Sequence, residues 1–110
     1  MHEDRIMLEK ISVKTGGRFD FIDVTGKVRE VVGKSGVQDG LCCVYVAHTT
    51  AGVTINENAD PAVPSDIIMG LDKIAPLQAG YKHAEGNSAA HIKTSLVGPS
   101  ITLIIENGRL

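Results

Sequence analysis

Leu41-Cys42-Cys43-Val44-Tyr45-Val46-Ala47 runs directly into His48-Thr49-Thr50-Ala51-Gly52-Val53-Thr54-Ile55-Asn56-Glu57-Asn58-Ala59-Asp60. The first seven residues form a nearly continuous apolar run, as expected of a strand covered on both faces. Gly52 to Glu57 reads as a further short strand, pairing with the first across the His48 to Ala51 turn. Asp60-Pro61 then has the form of an N-cap followed by proline at the first helical position. Val63, Ile67, Leu71 and Ile74 recur at i, i+4, i+8 and i+11, which marks one buried helical face, and Pro76 ends the helix. Pro64 removes one first-turn hydrogen bond, so the helix is expected to begin properly only near Ser65.

Working outward, Ile6 to Val13 alternates apolar and polar with one break, a strand with a bulge. Gly16-Gly17 makes a turn and Phe19 to Val24 resumes as a second strand, giving a hairpin. Thr25 is the expected N-cap of a helix whose Val28, Val31 and Val32 fall at i, i+3 and i+4, with Gly36 and Asp39-Gly40 ending it. Towards the other end, Asn87 or Ser88 caps a short helix through Leu96. Ser100 to Ile105 closes as a strand before Asn107-Gly108. The expectation is a single α+β domain over residues 1–110, with largely antiparallel strands and two or three short helices.

Composition narrows what such a domain does. The chain has 110 residues, 43% of them hydrophobic and 22% charged, with a net charge of −2 and a pI near 6.0. Lys and Arg are scattered, whereas duplex nucleic acid or an anionic membrane calls for a basic stripe, so neither partner is expected. The N-terminal Met1-His2-Glu3-Asp4-Arg5 is unlike a signal peptide, and no apolar run reaches bilayer-spanning length. Cys42 and Cys43 are adjacent on a strand, where successive side chains point to opposite faces. They read as two buried or half-buried free thiols, which together with the absent leader points to the cytoplasm.

A second polar stretch, His83-Ala84-Glu85-Gly86-Asn87-Ser88-Ala89-Ala90-His91-Ile92-Lys93, follows the helix. Folding alone rarely needs such density of His, Asn and carboxylate, because these residues weaken helices and strands unless they cap, turn or bind. His48, Glu57, Asn58, Asp60, His83, Glu85, Asn87 and His91 are therefore expected to line one cleft, shared between subunits or within one chain. Each residue also has a plainer reading. His48 is a strand-end histidine, Asp60, Asn87 and Ser88 are caps, Glu57 is a solvated charge, and Glu85-Gly86-Asn87 is a tight turn. His83 and His91, eight apart, do not have the short fixed spacing of a strong zinc motif. Cys42 and Cys43 are expected outside the cleft, in the core.

The two stretches, followed by Glu106-Asn107-Gly108-Arg109-Leu110, closely resemble the YjbQ-like family over roughly residues 5 to 110. The resemblance implies small cytoplasmic homotrimers with a sandwich-like α+β fold. Some members are credited with a secondary thiamine-phosphate synthase activity, a transferase reaction, while their main role is unsettled. The family pattern continues with a Gly-Thr-Trp-Gln-Gly-like segment and a terminal strand, which this chain does not contain; it has no Trp. That segment bears on the family's full sheet, its trimer contacts and any substrate wall it builds.

Three function classes follow. In the first, an enzyme acts on a small phosphorylated or heterocyclic metabolite. His48, Asp60, His83 and His91 are the catalytic candidates, and Glu57, Asn58, Glu85, Asn87, Ser88 and Lys93 the substrate-binding ones. Histidines move protons, a helix start at Asn87-Ser88 holds phosphate, and Lys93 adds a positive charge. In the second, His48, His83 and His91 ligate a divalent cation, magnesium or zinc, with a carboxylate as fourth group. In the third, the loops are a non-catalytic binding or assembly surface. Metal and acid–base chemistry use the same side chains, so the sequence does not separate the first two.

Overall fold

A side-chain or backbone oxygen meets the first free amides of the helices, and glycine or proline stops them. The computed structural model describes residues 7–17 and 19–110 and has the order α1 (Thr25–Ser35), β1 (Gly40–Tyr45), α2 (Ala62–Ile74), α3 (Ser88–Val97) and β2 (Ser100–Ile105). The reading of Met1 to Arg5 as an acidic leader-free start, and Ile6 of the first expected strand, lie outside the described residues. The chain divides into two compact units, Met1–Cys42 with Ile104–Leu110, and Cys43–Leu103.

In the first unit, Asp23 Oδ1 accepts the Thr25 amide at 2.9 Å. This lets α1 begin at Thr25 itself, with Val24 in the N-cap position that was expected of Thr25. Gly36 closes the helix in the left-handed region at φ 71°, a conformation glycine adopts without a Cβ penalty. Val28 and Val32, four apart, are 6% and 4% exposed and form the core here with Ile105. After β2 the chain reverses through Asn107 and Gly108 at φ 52° and 76°, and Glu106 bridges Arg109. Two consecutive left-handed residues between bridged partners are the mark of a type I′ hairpin turn.

In the second unit, Asp60 caps α2 from both sides. Its Oδ1 accepts the Ala62 amide at 2.9 Å and its carbonyl accepts that of Val63 at 3.1 Å. The helix starts at Ala62 and not near Ser65, because a proline in the first turn removes an amide that has no helical partner there anyway. Val63, Ile67 and Leu71 are half-buried, but Ile74 is 67% exposed. The buried place at that end goes to Ala75, 1% exposed, whose amide donates to the Leu71 carbonyl. Packed α3 contributes Ala89, also 1% exposed.

The strands β1 and β2 pair antiparallel in a two-stranded sheet, and the Val46 amide carries the register on to the Pro99 carbonyl at 2.8 Å. The fold is α+β, as expected. Burial alternates along both strands, so Leu41, Cys43 and Tyr45 on β1 are exposed in the single chain. The expectation of a β1 covered on both faces is corrected accordingly, and so is that of a core Cys43. Cys42 is half-buried, and neither cysteine forms a disulfide among the described residues. The segments read as strands at Met7–Val13, Phe19–Val24 and Gly52–Glu57 are not strands among the described residues. Alternation marks an extended chain with one apolar face, but a strand also requires a neighbouring edge to bond. Leu8 and Ile55 remain 86% and 61% exposed.

Candidate functional site

The start of α3 is built by a reverse turn. The Gly86 amide donates to the His83 carbonyl at 3.3 Å, and Gly86 takes φ 74°, which explains the glycine between Glu85 and Asn87. Asn87 then occupies the N-cap position, and its backbone carbonyl accepts the Ala90 and His91 amides at 3.1 and 3.3 Å. Its side chain makes no capping bond. Instead, Asn87 Oδ1 is buried and accepts no hydrogen bond among the described residues. The capping explanation for this asparagine therefore accounts for its backbone but not for its side chain.

The turn and helix place His83 beside His91. The ring centroids are 5.2 Å apart and the planes nearly perpendicular at 89°. Glu85 Oε2 stands 4.0 Å from His83 Nε2. An open cleft of about 430 Å³ lies here, lined by Tyr81, Lys82, His83, Ser88, His91 and Ile92. The Tyr81 hydroxyl donates to the Pro76 carbonyl at 2.6 Å, which holds that wall to the end of α2. One side of the cleft thus carries an exposed ammonium and two imidazoles beside a helix N-terminus, an arrangement that attracts anions and relays protons.

Of the expected site residues, His83, Ser88 and His91 line this cleft, with Glu85 and Asn87 in the same turn. His48, Glu57, Asn58 and Asp60 do not line it within one chain. They sit on a loop fixed elsewhere in the same unit, where the Val53 amide donates to the Gly98 carbonyl at 3.0 Å. Gly52 lies so near that strand junction that a Cβ there would meet Gly98 O at 2.8 Å. Lys93 points its ammonium at Asp72 on α2, 2.5 Å away, with its side chain 12% exposed. Sequence reading missed Tyr81 and Lys82, although they directly precede His83 and an aromatic–cation–histidine run was the available signal. Asp72 left none, because 21 residues separate it from Lys93. Among the described residues, no group of three or more His, Cys, Asp and Glu side chains is gathered for a metal ion. No helix among them is long and apolar enough to cross a membrane.

The family model described as UPF0047 protein YjbQ-like matches residues 9–110. UPF0047 protein MJ1081 of Methanocaldococcus jannaschii is 50% identical, over 94% of this chain and 75% of its own length. UPF0047 protein YugU of Bacillus subtilis is 45% identical, over 94% and 80%. Among solved structures, an uncharacterized YjbQ/UPF0047 protein of Clostridium acetobutylicum is 56% identical with a TM-score of 0.87, covering 89% of this chain and 76% of that one. A protein of unknown function from Sulfolobus solfataricus aligns with a TM-score of 0.85 at 29% identity, covering 89% and 72%.

Proposed function

Because the chain belongs to the YjbQ-like UPF0047 family, we propose that the α3 cleft binds a small phosphorylated metabolite and that the protein carries a thiamine-phosphate synthase activity. The observation that supports this reading is the lining of the cleft, where Lys82, His83 and His91 stand beside the Ser88 start of a ten-residue helix. In the reaction, a thiazole nitrogen attacks the exocyclic methylene of a hydroxymethylpyrimidine pyrophosphate. A carbon–nitrogen bond forms, the carbon–oxygen bond to pyrophosphate breaks, and pyrophosphate leaves with the electron pair. Such a displacement needs negative charge neutralised on the leaving group more than it needs a strong nucleophile. Lys82 and the α3 N-terminus are suited to that task, and His83 or His91 to proton transfer. Lys93, held by Asp72, positions α3 against α2.

The chain works as a homotrimer in this proposal, in the cytoplasm, where two free thiols persist. The subunit boundary would bring His48, Glu57, Asn58 and Asp60 of one copy to the cleft of another. The second reading is that synthase activity is a side reaction and the natural role is metabolite or metal binding; Asn87 Oδ1, buried with no hydrogen-bond partner among the described residues, favours a bound group of some kind. His83→Ala and Asp60→Asn, assayed separately for thiamine phosphate formation, test the catalytic reading. Each should lower turnover at least ~100-fold. Unchanged turnover in a folded variant removes that residue from the mechanism, and in both variants it removes the catalytic assignment.

A further inference from the structure

Glu106-Asn107-Gly108-Arg109-Leu110 has no part in the α3 cleft, yet hydrogen bonds fix its turn firmly. The Glu106 amide donates to the Arg109 carbonyl at 2.8 Å and the Arg109 amide to the Glu106 carbonyl at 3.0 Å. The Gly108 amide donates to the Gln38 carbonyl at 2.8 Å and the Asn107 amide to Asp39 Oδ1 at 3.4 Å. This sets Arg109 against α1, where Arg29, Val32, Gly108, Arg109 and Leu110 line a cavity of about 390 Å³. We propose that this cavity is a second binding site, which takes a small dianionic oxyanion, of which inorganic phosphate is the simplest, between Arg29 and Arg109.

The charges are arranged for such a ligand. Arg29 and Val32, three apart on α1, share a helical face. Among the described residues, no acidic side chain lines the cavity. Each arginine has a carboxylate within easy reach and leaves it unused. Glu106 faces Arg109 across the antiparallel bridge, where opposite charges attract, but no ion pair joins them among the described residues. Glu30 follows Arg29 in the chain and pairs instead with Lys34 at 3.0 Å. Two like charges on one cavity repel each other, and an anion between them replaces that repulsion by attraction to both. A guanidinium presents its donors in a planar fork that matches two oxygens of a phosphate or carboxylate. Val32, 4% exposed, supplies an apolar floor that keeps water from one side of those bonds. The volume lies in the range of small-ligand pockets and leaves room for a short carbon chain along Val32 and Leu110. A ligand with a positive charge of its own is disfavoured beside two guanidiniums, which sets this site apart from one that takes an ester of a cationic ring.

The proposal does not rest on the synthase reading, because the two clefts share no residue. The intact 15N-labelled protein is titrated with sodium phosphate, and separately with succinate, at constant ionic strength so that general screening does not change. Amide signals of Gly108, Arg109 and Leu110 should move and saturate. Arg29→Gln and Arg109→Gln should each weaken phosphate binding about 10-fold, read at Leu110. Arg109→Lys, which keeps the charge but not the fork, should give a smaller loss. Lys82→Met, which alters the α3 cleft, should leave the Leu110 response at parental affinity. Saturation by phosphate alone assigns the site to phosphoryl groups, and saturation by both anions to dianionic oxyanions in general; either upholds it. Three results overturn the inference. One is the absence of saturable shifts at Arg109 and Leu110, and another is parental affinity in both glutamine variants. The third is movement of the same signals with protein concentration in the absence of either anion, which would place a neighbouring copy on the cavity. Loss of the response at Ser88 and His91 alone would count against the α3 cleft and leave this site standing.

Discussion

At Gly52 a hydrogen atom is the largest side chain that fits. An added Cβ would meet the Gly98 carbonyl oxygen at 2.8 Å and Val97 Cγ1 at 3.0 Å, and neither a backbone oxygen nor a β-branched side chain yields readily. Gly52→Ala should therefore destabilise the protein by about 1–3 kcal/mol through overpacking, read as a lowered urea midpoint with an unchanged slope. Parental stability would mean the His48 loop is not held against the α3–β2 junction. The Lys93–Asp72 pair gives a second test at this scale. With Lys93 12% exposed and Asp72 45%, the interaction is only partly screened. A double-mutant cycle with Lys93→Met and Asp72→Asn should return a coupling of about 1 kcal/mol; no coupling would mean that the contact does not help hold α3 to α2.

At the scale of elements, chain punctuation decides where helices end. Gly36 ends α1 at φ 71°, so Gly36→Ala should cost about 1 kcal/mol in thermal or denaturant unfolding. A neutral outcome would show that α1 does not stop in the left-handed region. The same punctuation made much of the fold legible in the sequence. Asp60-Pro61 marked the start of α2, Gly36 the end of α1, Asn87-Ser88 the start of α3 and Asn107-Gly108 the final turn, because each is a local requirement of backbone geometry. Ser100 to Ile105 was readable as β2 from its apolar run. The segments at Met7–Val13, Phe19–Val24 and Gly52–Glu57 were misread as strands because pairing is not local. Alternation reports which face of a segment is apolar, and the partner edge lies elsewhere in the chain or outside it. The site divides in the same way. His83, Ser88 and His91 are close in sequence and meet in the cleft, whereas His48, Glu57, Asn58 and Asp60 do not line it within one chain, because their placement relative to it is long-range and no spacing encodes it. The Asn87 side chain was read as a cap because asparagine at an N-cap usually is one; its Oδ1 is instead buried without a hydrogen-bond partner among the described residues.

For the whole molecule, a two-stranded sheet is marginal by itself and gains stability from further strands or packed faces. Leu8, Leu41, Tyr45, Ile55, Ile74 and Ile104 are each more than half exposed in the single chain, while the buried apolar residues described are Val28, Val32, Ala75, Ala89 and Ile105. That balance supports the proposed homotrimer, since closed symmetric assemblies cover such surfaces. Sedimentation equilibrium at micromolar concentration should give the trimer mass, and Leu41→Asp should shift the population towards monomer. A monomeric parent would contradict the assembly and with it the sharing of the His48 loop between subunits. The most direct test of the α3 cleft as a phosphate-ester site is a calorimetric titration of the intact protein with thiamine phosphate. The proposal predicts saturable binding at one site per chain, weakened at least ~10-fold by Lys82→Met and more by His91→Ala. Absence of saturable binding, or parental affinity in both folded variants, would contradict it.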